Sequence, residues 1–559
     1  MKPTSKNYKI LRNILSKIRK FSITPDISYL VIYSFLYKYC SDLLRDHFLS
    51  QIQDKALTLD EAYAQEHYRE MFRDDAFHMF GYYINSPDCF FDEVINNKYS
   101  ENFFLYEFFT AFSQHVEFVE GSNYQQYFRF IFDSVSEIIN FSKYEFEGEN
   151  HLMVKEIIFA ISKLDIFEEE FPFDKVYDRL CQSKLIEVET DPDYITSMLS
   201  CIVKSEKDTI NDIYNPFLCD ASSIINLSSQ NYFMANTYAK SQDKITYCSN
   251  IVKLFINLFD LDHIFLEYGS PFESADVGGA SFDVITSRIP PLTSKNIQRL
   301  NRAQRIEITK RNKRKELEEV LADKFNMNPE LLENDIEMNN TIENLVNRMD
   351  LDADSKIQFK GEYESLKDSE YLFLINLIDS LKDDGIMVVA MSQSFLFKNT
   401  LQTLRKYLTF EKNCIDAIIS IPNELTRPRS SEIIVVFRKN RLRNDVMFID
   451  LSTKYKLVRE SYRVPGLFRK NLTLDAEFIR HVVEIYHKRE IVDRFSNIAG
   501  TDEIASKEFN LSVSRYVDTF EGEFVKLEDL KNEKEEITSK IKKLNKKIDM
   551  MMDELNIRI

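Results

Sequence analysis

The stretch Ser369–Met391, SEYLFLINLIDSLKDDGIMVVAM, decides the fold. Its first part reads as a helix over 369–385, with Gly385 as the C-cap, and the strand Ile386–Met391 follows at once. Further short β-type runs lie to either side: DIY before Asn215, HIFLEY (His263–Tyr268), FDVIT (Phe282–Thr286), IDAIISI (Ile415–Ile421), EIIVVFR (Glu432–Arg438) and VMFIDL (Val446–Leu451). Helical patterns fall between several of them. That alternation predicts an α/β, doubly wound sheet over about 171–520.

Upstream of about residue 170 the pattern is helical throughout, with apolar-aromatic stripes such as ISYLVIYSFLYKYCSDLLRDHF (Ile27–Phe48), opened by Thr24-Pro25-Asp26. Such stripes predict core and a helical N-terminal domain over 1–170, not a site. Between about 293 and 367 the alternation lapses into a charge-dense helical insertion holding Lys310, Arg311, Lys313, Arg314 and Lys315. A solvated helix face is the bland reading of that cluster and contact with phosphates the sharper one. The last stretch, 521–559, carries a heptad pattern: Leu530, Ile537, Leu544 and Met551 form one row, and Leu527, Ile541, Ile548 and Leu555 the other, interrupted by Lys534. One helix cannot bury such a seam, so a coiled-coil or bundle partner is implied.

Composition bounds the rest. The 559 residues suffice for a large core, 44% are hydrophobic, and the net charge of −18 argues against a surface that coats nucleic acid, although one patch or a partner can supply positive charge. No run of about 18 uncharged apolar residues occurs and the start MKPTSKNYKI lacks a signal-peptide core, so a cytoplasmic protein without membrane contact is expected. Seven scattered cysteines form no C-x-x-C pair and no metal-ligand spacing, which predicts reduced, buried thiols and no metal site. There are 11 glycines, against a usual share of about 7%, and none between Gly148 and Gly269. Any nucleotide loop in that interval is built without the residue that lets a backbone approach a ligand closely.

In chain order, FLYKYCSDLLRDHF (Phe35–Phe48), GIMVVAMSQSFLF (Gly385–Phe397), SEIIVVFRKN (Ser431–Asn440), VMFIDLS (Val446–Ser452) and EFNLSVSRYVDT (Glu508–Thr519) resemble the signatures of the modification (M) subunit of type I restriction-modification systems. These are N6-adenine DNA methyltransferases. The resemblance covers nearly the whole chain except the insertion. It implies a Rossmann-like class I methyltransferase sheet, an all-helical N-terminal domain and a C-terminal coiled-coil helix. It also implies S-adenosylmethionine (AdoMet) as cofactor, double-stranded DNA, a specificity subunit as partner, and a restriction subunit or a second M subunit as further partners.

Carried over position by position, the family's motifs are altered. The cofactor loop, Asp-Pro-Thr-Cys-Gly-Ser-Gly in the family, resembles YNPFLCDAS (Tyr214–Ser222), with Asn215 at the Asp, Pro216 at the Pro, Cys219 and Ala221 at the two glycines, and Asp220 between them. Two Cβ atoms and a carboxylate are expected to crowd the cofactor there. In YAKSQDKITY (Tyr238–Tyr247) Ser241 replaces the Glu that grips the ribose diol, a two-oxygen grip that one hydroxyl does not reproduce, although Gln242 or Asp243 could shift in. In TDPDYI (Thr190–Ile195) Asp191 stands where a Thr sits, and its negative charge is expected to oppose a methionine carboxylate. In SFDVITSRIPPL (Ser281–Leu292) the catalytic Asn-Pro-Pro-aromatic becomes Arg288-Ile289-Pro290-Pro291, or with one extra residue Ile289-Pro290-Pro291-Leu292. Neither Arg nor Ile offers the amide acceptor that prepares a flipped adenine. These departures imply a pseudo-methyltransferase that keeps fold and partner surfaces; an active adenine-N6 methyltransferase with divergent motifs is the alternative.

Overall fold

The structure, a computed structural model, describes residues 5–18, 25–52, 56–96, 104–142, 149–183, 185–186, 188, 190–228, 235–241, 243–258, 261–269, 281–289, 373–422, 425, 431–452, 457–459, 472–519 and 527–554. The charged insertion with its basic cluster, Gln242, and the residues Pro290, Pro291 and Leu292 lie outside these. The chain forms two compact units, Met1–Val517 and Asp518–Ile559.

The first unit opens with helices. The longest, Pro25–Gln51, has Pro at its first position, where the missing N–H costs nothing, and is buried on nearly every side. Its tyrosines spend their hydroxyls on backbone: Tyr33 donates to the Phe109 carbonyl at 2.7 Å and Tyr37 to that of Cys89 at 2.5 Å. Two short strands, β1 (Tyr82–Ile84) and β2 (Val116–Phe118), pair antiparallel within this helical region. Gly81 ends the helix before β1 at φ 73°, and a Cβ there would lie 2.7 Å from the Tyr124 ring, so both conformation and space call for glycine.

The main sheet has nine strands: β3 (Asp212–Asn215), β4 (Asn236–Ser241), β5 (Ile264–Tyr268), β6 (Phe282–Arg288), β7 (Leu381–Ser392), β8 (Ile415–Ser420), β9 (Glu432–Arg438), β10 (Asp445–Asp450) and β13 (Ser496–Gly500). A separate pair, β11 (Leu457–Arg459) and β12 (Leu472–Leu474), is antiparallel. The order across the sheet is β13-β10-β8-β9-β7-β6-β3-β4-β5. All neighbours run parallel except β9, antiparallel to β7 and β8, and β13, antiparallel to β10. From β3 the chain winds outward first to β4 and β5, then to β6 and β7. The carboxyl ends of β3 and β6 therefore flank a topological switch point, where such sheets place their ligands.

One expected boundary moves. The helix ends at Asp379, and β7 already begins at Leu381, so Gly385 is not a C-cap but a residue inside a strand. The polar LKDDG is drawn into the sheet by charge: Lys382 Nζ lies 2.9 Å from both Asp212 Oδ2 and Asp283 Oδ2 on neighbouring strands. At Gly385 the backbones close up around the register shift between Phe282 and Val284, and a Cβ would meet the Lys382 carbonyl at 2.9 Å and that of Phe282 at 3.0 Å. Beyond it, Ile386 to Met391 are fully buried, as an apolar run covered on both faces must be.

The helical region is fastened to the sheet at β5. The Tyr127 hydroxyl accepts the Leu266 N–H at 3.0 Å and donates to the Ile264 carbonyl, while Asn123 Nδ2 donates to the carbonyls of Leu261, Asp262 and Ile264. Side chains thus satisfy backbone groups that an open edge strand leaves exposed. One hydrophobic core continues from the first helices through the helix Lys244–Asn257 to β4 and β5.

The second unit holds the helix Leu527–Glu554, in which Ile537, Ile541, Leu544 and Ile548 are 49%, 51%, 59% and 51% exposed. The seven cysteines are free thiols, all buried except half-buried Cys201. Among the described residues no helix is long and apolar enough to cross a membrane.

Candidate functional site

The loop after β3 is shaped by Asn215. Its Oδ1 accepts the Phe217 N–H at 3.2 Å and its Nδ2 donates to Ser223 Oγ at 2.9 Å, an Asx turn that closes the loop on itself. Pro216 to Ala221 are all buried, and no residue of the loop lies at positive φ; Ala221 sits at φ −69°. The loop has settled into backbone angles that need no glycine.

Asp220 is built into the loop. Its Oδ1 accepts the Ser222 N–H at 2.7 Å, its Oδ2 accepts the Asp191 N–H at 3.1 Å, and Lys253 Nζ lies 3.5 Å away. Short polar side chains bond readily to backbone two residues on, and here that reach turns the carboxylate into part of the loop. Ser241, at the end of β4, is fully buried: its hydroxyl donates to the Leu218 carbonyl at 3.3 Å and receives Asn250 Nδ2 at 3.4 Å. Asp243 caps the next helix, accepting the N–H groups of Ile245 and Thr246. It is committed there rather than free to replace a ribose acid.

Arg288 is the last residue of β6, not part of a loop, and its side chain is 7% exposed. Its Nη2 donates to Glu432 Oε1 at 2.6 Å and its Nε to the same oxygen at 3.2 Å, while Nη1 lies 3.6 Å from Asp191 Oδ1. Cys219 Sγ lies 3.8 Å from the Arg288 carbonyl, and Ile289 continues the pairing by donating its N–H to Ala390 at 2.8 Å. The structure thus gathers Asp191, Asn215, Pro216, Cys219, Asp220, Ala221, Arg288 and Ile289 at the carboxyl ends of β3 and β6, with Ser241 beside them on β4.

The charges here form one buried network. Lys253 Nζ lies 2.7 Å from Asp178 Oδ1 and donates to Ser222 Oγ at 2.7 Å, and Lys175 stands beside Asp178 at 3.6 Å on the exposed rim. Burial alone would lower the pKa values of Arg288 and Lys253, but Glu432 and Asp191 hold the first above its ordinary value and Asp220 and Asp178 hold the second. Burial pushes the Asp178 carboxyl up, and Lys253 and Lys175 outweigh it. Asp191 goes the other way. Burial and the Asp220 charge raise it to about 8, against the pull of Arg288. Among the described residues, four carboxyl groups (Asp178, Asp191, Asp220, Glu432) meet two buried cations, and burial with a like charge beside it pushes Asp191 above the ordinary carboxylate range. Asp191 Oδ1 has no hydrogen-bond partner among the described residues.

Among the described residues, the Glu432 and Asp220 carboxylates are engaged by Arg288, Lys253 and backbone N–H groups and are not open to a ribose diol. The motif positions suggested none of the distant partners Glu432, Lys253 and Asp178. Each did leave a trace: an acid opening the apolar strand EIIVVFR, a lone cation in the apolar helix YCSNIVKLFIN, and an acid near the end of FDKVYDRLC.

The N-6 DNA Methylase family model matches residues 338–523, a stretch that begins after both the cofactor-type loop and β6. The chain is 27% identical over 209 residues to the methylase subunit of the type I restriction enzyme MpnII of Mycoplasma pneumoniae, covering 36% of each chain. It is 27% identical over 171 residues to that of MjaVII of Methanocaldococcus jannaschii, covering 30% of this chain and 27% of the other. The aligned stretches thus span about a third of these relatives' length. Among solved structures, the type I restriction-modification methyltransferase subunit of Streptococcus thermophilus superposes with a TM-score of 0.66 at 17% identity, over 92% of this chain and 99% of that one. A modification subunit of a type I restriction enzyme from Vibrio vulnificus gives 0.50 at 10% identity, over 93% and 98%.

Proposed function

This chain is a relative of the modification subunits of type I restriction-modification systems, and we propose that it is a pseudo-methyltransferase, a cytoplasmic subunit that keeps the fold and the partner surfaces of the family without methyl transfer. One observation carries the reading. The side chains at the family's cofactor and catalytic positions are buried against one another, and Arg288 and Asp220 are engaged in ion pairs inside the protein. AdoMet would have to displace ion pairs that are worth most where water is excluded. A guanidinium at Arg288, donor only and already engaged by Glu432, cannot accept the hydrogen bonds of an adenine amine.

The partners proposed are a specificity subunit and double-stranded DNA, with a restriction subunit or an intact modification subunit as further members of the assembly. The half-exposed row Ile537, Ile541, Leu544 and Ile548 supports a partner helix for the tail. Calorimetric titration with AdoMet, together with transfer of labelled methyl to DNA in the presence of the specificity subunit, tests the reading. No heat and no label are expected, and measurable transfer would overturn it in favour of an active enzyme with divergent motifs. Deleting residues after 522 is expected to abolish association with the specificity subunit while the sheet stays folded.

A further inference from the structure

We propose that Arg288 is a tethered ligand: the crevice at the switch point has become a guanidinium pocket, formed by Glu432 and Asp191, which the chain fills with its own arginine. The inference rests on the reading of this crevice as non-catalytic and deepens it by naming the occupant.

The register gives the geometry. Arg288 pairs with Ala390 of β7, and Glu432 pairs with Ser392 on the far side of the same strand, so the Arg288 side chain crosses the carboxyl end of β7 to meet its acid. It lies across the ends of the strands, where open α/β sheets hold ligands. Both acids come from elements that do not pair with β6: Glu432 from β9, and Asp191 from the segment leading into the helix Asp193–Glu206. The acids therefore reach the guanidinium from elements other than the strands that flank β6. Glu432 takes the Nε and Nη2 side of the guanidinium through hydrogen bonds from both nitrogens, an edge that an ammonium could not match, while Asp191 Oδ1 lies 3.6 Å from Nη1 without a hydrogen bond. Buried Arg405 is held differently, by the backbone carbonyls of Phe395, Lys398 and Phe509, as a residue that fastens loops is held. Arg288 is held by the Glu432 carboxylate, at the end of the sheet where ligands sit.

Chemical rescue in the intact chain tests this. Arg288→Ala is expected to lower Tm, and millimolar methylguanidinium to raise the Tm of that variant saturably. Methylammonium at the same concentration should do nothing, and the gain should vanish in Arg288→Ala combined with Glu432→Gln. No gain, or an equal gain in the double variant or in the unchanged chain, overturns the proposal. Should Arg288→Ala fail to fold, exchange of the Arg288 Nε–H in the unchanged chain decides. Slow exchange that becomes fast in Glu432→Gln supports the pocket, and exchange as fast as in exposed arginines refutes it. A Tm raised by AdoMet in the unchanged chain would refute the non-catalytic reading, whereas the methylguanidinium arm reports on the pocket alone.

Discussion

Two buried ion networks stand at opposite ends of the same strands, and β9 contributes to both, with Glu432 at one end and Arg438 at the other. At the amino end of β8, Asp416 is held by Arg441 and Arg489 at 3.0 Å, by Arg438 at 3.5 Å and by the Tyr486 hydroxyl at 2.8 Å. Asp445 takes Arg489 at 2.6 Å, and Glu206 pairs with Arg438 and with His487. Three arginines thus meet three carboxylates, and each acid has more than one donor. At the carboxyl end the balance is different: among the described residues Arg288 is the one cation paired with Glu432, and Asp191 is pushed above the ordinary carboxylate range by burial and the Asp220 charge. The redundant network behaves as a fastener. The other lies at the carboxyl ends of the strands, where such folds place ligands.

The largest expected effect is at the carboxyl end. Arg288→Ala leaves Glu432 buried without its partner and is expected to cost about 3–5 kcal/mol in urea unfolding, as removal of one member of a buried pair does. Replacing Arg288, Glu432 and Asp191 together by methionine should cost less than the single change. If the triple variant is the less stable, the acids do more than balance the arginine.

The pH dependence comes next. Asp191 is raised to about 8 in the folded chain and titrates near 3.9 when unfolded. The folded state binds the proton more tightly, so this contribution to stability is complete below about pH 4 and is lost as pH rises through about 8. Asp191→Asn should flatten that slope, and denaturation curves with the same slope in both chains would remove the proton from Asp191.

A smaller loss is expected at the amino end. Arg441→Ala removes one of four donors to Asp416, together with hydrogen bonds to the carbonyls of Ile415 and Asp445, and should cost about 1–3 kcal/mol. A loss equal to that of Arg288→Ala would erase the distinction between the two ends. Smallest should be Asp445→Asn: the carboxyl is 30% exposed, and such pairs contribute about 1 kcal/mol or less.

The strands β5 to β10 were legible as apolar runs bounded by breakers. β4 and β13 were not, because NTYAKS and SNIAG carry little apolar signal and take strand form from the neighbours that pair with them. LKDDG read as a helix end because local sequence carries no record of Asp212 and Asp283, which pull Lys382 into the sheet. At the candidate site, the altered motif positions were visible one by one, and Asp220 and Asp191 were expected to obstruct a cofactor by bulk and charge. Folding made the first a loop brace and buried the second beside Arg288 and Asp220.

Sequence alone determined the α/β order, the helical N-terminal region and the heptad pattern of the tail. Those properties are local: they depend on residue type, periodicity and spacing along the chain. Tertiary structure alone decided how the candidate site is built. Arg288 and Glu432 are 144 residues apart, and neither is remarkable in its own segment. Only the crossing of β7 brings them within 2.6 Å, in a water-excluded site where charge must be matched.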